Sequence, residues 1–198
     1  MSEDHPIYDL VVPRRHPPGR RSAMWMAAVA RCALASLVFA ACGSSPHPNS
    51  TRAPLPAGPL PSEIAKMVCQ PKTQKELADA LGLKATVGAQ TWVDHRYSCP
   101  YLYPNGRFVL TVQELSSWGQ TLSYFHALGR QLGDARSLGN LGQGAFQTTD
   151  GSVVVRKDWK VLLVNIAGLP DQFGVPPTNS ADVAVTVADV ILGCWSGD

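Results

Sequence analysis

Histidine and charge are both thin in this 198-residue chain: five His, with Lys, Arg, Asp and Glu together at 16%. Only His47, His95 and His126 lie beyond residue 41, a small stock for an enzyme that needs a general base near neutral pH. No Gly-x-Ser-x-Gly elbow occurs, and Ser117 and Ser123 lack a Ser-His-Asp context. No run of Lys or Arg follows Arg31. From Cys42 onward six Lys and six Arg face twelve Asp or Glu, so this part is neutral and points away from nucleic acid as a partner. Long apolar runs are missing too. The run Ala33–Cys42 has ten residues, short against the ~20 that span a hydrocarbon core, and Arg31 separates it from Met24–Ala30.

What is present begins with order. Arg14, Arg15, Arg20, Arg21 and Arg31 precede the apolar run, which ends in Ala40-Ala41-Cys42 and gives way at once to Ser, Pro and Asn. Basic region, apolar core and small residues in that sequence make a secretory signal segment over residues 1–41. Val38-Phe39-Ala40-Ala41-Cys42 resembles the lipobox of bacterial lipoproteins of actinobacterial type. The resemblance implies that Cys42 becomes the acylated N-terminus of a protein anchored in the cell membrane on its extracytoplasmic face. A soluble protein cut near Ala41 and an uncleaved membrane segment are the rival readings. Arg20-Arg21 is a weak match to a twin-arginine signal, and Met24 or Met26 would also begin a plausible leader.

Residues 42–61 are rich in Pro and Ser and cannot build a core; they read as a tether, with His47 inert inside it. Residues 62–198 remain for one globular domain. Of the five cysteines, Cys32 leaves with the leader and Cys42 takes the lipid. Cys69, Cys99 and Cys194 are left in an oxidising space, where one bridge is expected. Cys69–Cys99 is the preferred pair, with Cys194 as leftover or rival, since sequence does not settle connectivity.

Along the domain, Ser62–Val68 predicts a short helix. Thr73-Gln74-Lys75-Glu76 reads as a capping box for a second, stopped by Gly82. Trp92 and Val93 open a strand that continues through Tyr97, Cys99, Tyr101 and Tyr103, and Asn105-Gly106 turns it into Arg107–Leu115. Pro100 argues for an edge or a bulge there. Ser116 or Ser117 caps an amphipathic helix carrying Trp118, Leu122, Phe125 and Leu128 or Leu132. A glycine-dense loop follows. Then come three strands: one from Gly144, one after the Asp150-Gly151 turn, and one after a turn at Asp158-Trp159. Asn179 caps a last helix, for which the many valines make a strand a real competitor.

The expected fold class is therefore α+β, a single antiparallel sheet made of a hairpin plus a three-strand meander, with helices packed on one face. Several features together resemble the actinobacterial DUF3558-like lipoproteins, a family of unknown function. They are Cys69 before a Leu-Ala-Asp-Ala-Leu-Gly helix, Cys99 in a strand, Leu141-Gly142-Gln143-Gly144-Ala145-Phe146 before a hairpin, and a final helix. The likeness covers residues 62–192 and implies a fold, a bridge and an address, but no activity. Where that family shows Cys-x-Trp, this chain has Cys99-Pro100-Tyr101.

Candidate sites are few. Asp94, His95 and Cys99 are residue types that hold zinc, but along an extended strand His95 and Cys99 stand ~13 Å apart, so no metal and no cofactor are expected. The loop Gly139–Gly144 follows a helix and precedes a strand, the reverse of a phosphate cradle. His126 falls off the apolar stripe of its helix. Tyr101, Tyr103 and Trp159 are the expected contacts for a ligand or partner, the tyrosines at a groove rim and Trp159 exposed in a turn. The expected function is non-catalytic: a tethered domain binding a protein partner or a small apolar envelope ligand. A structural role in an envelope assembly is the alternative. An envelope hydrolase is a third, for which Glu114, Asp134 and Asp150 are the only acids loosely placed.

Overall fold

The computed structural model describes residues 54–195, and within them the chain is α+β, with an antiparallel sheet of eight strands and four helices. The leader, Cys42 and the first part of the expected tether lie outside the described residues. Ser62 caps α1 (Glu63–Met67) by accepting from the Ala65 N–H. The next helix, α2 (Pro71–Leu81), starts two residues before the expected capping box. Pro71 takes the first helical turn, where its missing N–H has no intrahelical partner to lose. Thr73 is therefore inside the helix, buried, and its hydroxyl donates to Met67 O at 2.7 Å. Gly82 ends α2 with φ +64°, and a Cβ there would stand 2.3 Å from Val175 O.

The single strand expected from Trp92 onward is a hairpin of its own. After β1 (Thr86–Val87), β2 (Thr91–Val93) turns through Asp94 and His95 into β3 (Arg96–Tyr103). Both turn residues have positive φ, +51° and +58°, the signature of a type I′ turn made without glycine. At the other end of β3, Tyr103 pairs with Gly106, so Pro104 and Asn105 form the turn and Gly106 opens β4 (Gly106–Glu114). Gly106 is needed for proximity: a Cβ would lie 2.9 Å from Gly168 O and 3.0 Å from Pro170. Pro100 sits where the outer row is broken, between the pairings Val87↔Tyr101 and Thr91↔Ser98.

Ser117 caps α3 (Trp118–Leu132), its hydroxyl accepting from the Gln120 N–H. The loop expected next contains a strand, β5 (Asp134–Leu138), before β6 (Gly144–Thr148), β7 (Val153–Lys157) and β8 (Lys160–Gly168). Four consecutive strands thus replace the expected three, and the sheet order is β1-β3-β4-β8-β7-β6-β5, with β2 also on β3. A separate ribbon of β9 (Gln172–Phe173) and β10 (Thr178–Asn179) leads into α4 (Ser180–Cys194). Asn179 caps α4, and Val183, Ala184, Val187, Ala188 and Ile191 are buried along one helical stripe.

Helices cover both faces of the sheet, which corrects the expectation of one. Val153, Val154 and Val155 are all fully buried, a run without alternation that needs cover above and below. Val153 and Val155 join Leu162, Val164, Leu77 and the α4 stripe in the larger core. Val154 joins Phe146 and Val161 under Phe125, Leu128 and Leu132 of α3. The Cys69–Cys99 disulfide is present and ties the α1–α2 junction to the middle of β3.

Candidate functional site

The strand face that carries Cys99 is the core face, and this decides where the tyrosines go. Tyr101 is 0% exposed; its ring stacks on Phe108 at 4.9 Å and its hydroxyl donates to Val68 O at 2.6 Å. Burial, with the neighbouring Tyr103, pushes its pKa well above the ordinary tyrosine value. Tyr103 is half-buried between Phe108 and Phe173, and burial raises it to about 12. Tyr101 is therefore a core piece and not a rim contact, while Tyr103 packs against the core and stays partly exposed. Trp159 is half-buried in the β7–β8 turn, where its carbonyl accepts from Leu115 N at 2.8 Å.

The three acids do not form one site. Glu114 is buried at the start of α1, accepting from the amide and hydroxyl of Ser62. Asp134 and Asp150 lie at the opposite end of the sheet, Asp134 pairing with Thr148 on β6 and Asp150 in the turn that follows. Burial alone would raise Asp150, but hydrogen bonds from Thr148 and Ser152 outweigh it and hold the carboxyl below its usual range. Cys99 is in the disulfide, and His95 bonds Gly58 O through Nδ1 at 3.0 Å. Cys194 is a free, partly buried thiol that donates to Glu76 Oε2. Burial first, then Glu76, raises its pKa, so the thiol stays protonated near neutrality and is a poor nucleophile.

The opposite face of the hairpin forms a cleft that sequence reasoning missed. Helix α3 covers the sheet over β6, β7 and part of β8 but stands off over β3 and β4, leaving about 420 Å³. Its floor is Ser98, Thr111, Leu163 and Asn165, and its wall is Tyr124, Leu128 and Gln131 of α3. Arg96 and Gln113 lie at one end. Gln113 is fixed by donating to Asp94 O at 2.9 Å, and the Ser98 and Thr111 hydroxyls are 3.4 Å apart. Burial raises the Tyr124 phenol while the Arg96 charge pulls it back, which puts the two groups near one another.

Arg96 has no carboxylate partner among the described residues. The signal in the sequence was the alternation itself: Arg96, Ser98, Thr111 and Gln113 are polar residues on sheet positions that elsewhere carry apolar side chains against a helix.

A second arginine sits beside α3. The Arg156 guanidinium lies 4.3 Å from the centre of the Trp118 ring and 5.7 Å from that of Phe125, and Nη2 donates to Gln143 O. This stack pins the start of α3 to the end of β7. Among the described residues no three His, Cys, Asp or Glu side chains gather as metal ligands do, and no helix is long and apolar enough to cross a membrane. No protein-family model, no curated protein and no solved structure matches the chain.

Proposed function

We propose that the chain is a non-catalytic lipoprotein, held on the extracytoplasmic face of the cell membrane by acyl groups on Cys42. The cleft between α3 and the hairpin half of the sheet then takes an envelope ligand. The address is supported by the sequence of basic region, apolar run and Val38–Cys42, and by a disulfide suited to an oxidising compartment. The observation that carries the binding role is the cleft, whose lining combines an uncommitted arginine with Leu128, Leu132, Val161 and Leu163. Such a lining fits an amphipathic molecule, its chain along the leucines and an anionic group at Arg96. The hairpin β3–β4 and its junction with β8 supply a rigid floor, so the site is formed before the ligand arrives.

The test is purification from native membrane followed by mass spectrometry of bound lipids and small molecules. The parent is expected to retain a specific amphipathic anion, and Arg96→Gln to retain roughly tenfold less, as loss of one charge-assisted hydrogen bond implies. Equal retention by both forms would remove the cleft from the account. Intact mass of the parent beside Cys42→Ala decides the anchor separately.

A further inference from the structure

We propose that one end of this domain seats directly on a lipid bilayer, with Leu60, Val93 and Trp118 dipping into the interface. The inference rests on the anchored reading above and adds the orientation that the anchor imposes.

The observations converge on one pole of the sheet. The β2–β3 turn, the end of β4, the β7–β8 turn and the start of α3 all lie there, joined by Glu114 N to His95 O and Leu115 N to Trp159 O. The described chain enters at this same pole. Ala57 N donates to Leu115 O, Trp92 Nε1 donates to Pro59 O, and His95 bonds Gly58 O. Large apolar side chains are exposed here out of proportion. Leu60 is 73% exposed, Val93 62%, Leu55 57% and Trp118 44%, while only Leu102 and Val175 are comparable elsewhere among the described residues. An exposed apolar patch of this kind marks an interaction surface, and a tryptophan with one face packed and the other free suits the headgroup level of a bilayer.

The occupant follows from the chain's reach. Twelve residue steps separate Cys42 from Pro54, which span at most ~40 Å however they are laid. A domain of this size is itself of about that diameter. The pole through which the chain enters is thus the part of the domain that the anchor brings nearest to lipid. Charge at this pole is mixed: Glu63 is paired with Lys66 at 2.9 Å and Lys157 is tied to Trp195 O, while the turn residues Asp94 and Asp158 carry carboxylates outside any ion pair among the described residues. Apolar insertion, not electrostatic attraction, is the driving term, so the seat should survive high salt.

The test is tryptophan fluorescence of the full chain reconstituted in phosphatidylglycerol vesicles with or without brominated acyl chains. The Trp118 contribution is the difference between the parent and Trp118→Phe, a change that keeps an aromatic face for Arg156. That contribution is expected to be quenched in brominated vesicles, at low and at high salt. Leu60→Ser with Val93→Thr, at exposed positions that leave the fold intact, is expected to reduce the quenching. Equal Trp118 emission in brominated and plain vesicles, with the chain shown to be vesicle-bound, overturns the seat and leaves the anchor standing. Loss of quenching accompanied by a stable dimer would assign the patch to a second copy and likewise overturn it. Intact mass without an acyl group defeats the anchor alone, since the Trp118 comparison is read on whichever form binds the vesicle.

Discussion

Tyr101 is the residue on which a difference between packing and chemistry can be measured most simply. Its hydroxyl meets the Val68 carbonyl inside the core, so Tyr101→Phe leaves a buried acceptor unpaired and should cost about 1–2 kcal/mol, read from a denaturant midpoint. Cys194 offers a kinetic counterpart. Its raised pKa predicts alkylation slower than that of an ordinary exposed thiol at pH 8, and Glu76→Gln should speed it by removing the charge that holds the proton. Asp150 gives the pH dependence. Its folded pKa is lowered from 3.8, so its contribution to stability is present above that value and is lost as pH falls through the lower folded value. Denaturation followed from about pH 6 to pH 2 should show an acid limb that Asp150→Asn flattens.

Among the elements, the turns show what a sequence reveals. Asp150-Gly151 was readable because glycine marks the left-handed position, and Gly151 does take φ +85°. Asp94-His95 was not, because two residues with Cβ atoms occupy a conformation usually given to Asn-Gly, held in part by the bond from His95 to Gly58 O. Strand β5 hid for a different reason. Four of its five residues are exposed, so it lacks the apolar alternation that identifies a strand. The faces misled in turn: Tyr97, Cys99, Tyr101 and Tyr103 share one side of β3, but periodicity does not say which side meets the core. The cleft was illegible because it depends on where α3 stops covering the sheet. Helix α2 ends on a stricter requirement. Gly82→Ala would place a methyl against Val175 O in a left-handed conformation and should destabilise by more than about 1 kcal/mol, measured by thermal melting.

For the whole molecule the disulfide is the long-range constraint. It joins residues 30 apart in sequence, and its removal by Cys69→Ser with Cys99→Ser should cost about 3.5 kcal/mol by loop entropy, visible as a lowered urea midpoint. The larger core would still span α1, α2, α4 and one sheet face, so the variant is expected to fold less stably and not to lose its architecture. Lys157, beside the β7–β8 turn, bonds the carbonyl of Trp195, so the described chain leaves by the same pole at which it enters. On the anchored reading proposed above, a fluorescent protein or affinity handle fused behind Trp195 would be wedged next to the attachment, competing for the space the domain would need there. Reporters belong instead on the far rim, at the Pro104-Asn105 corner.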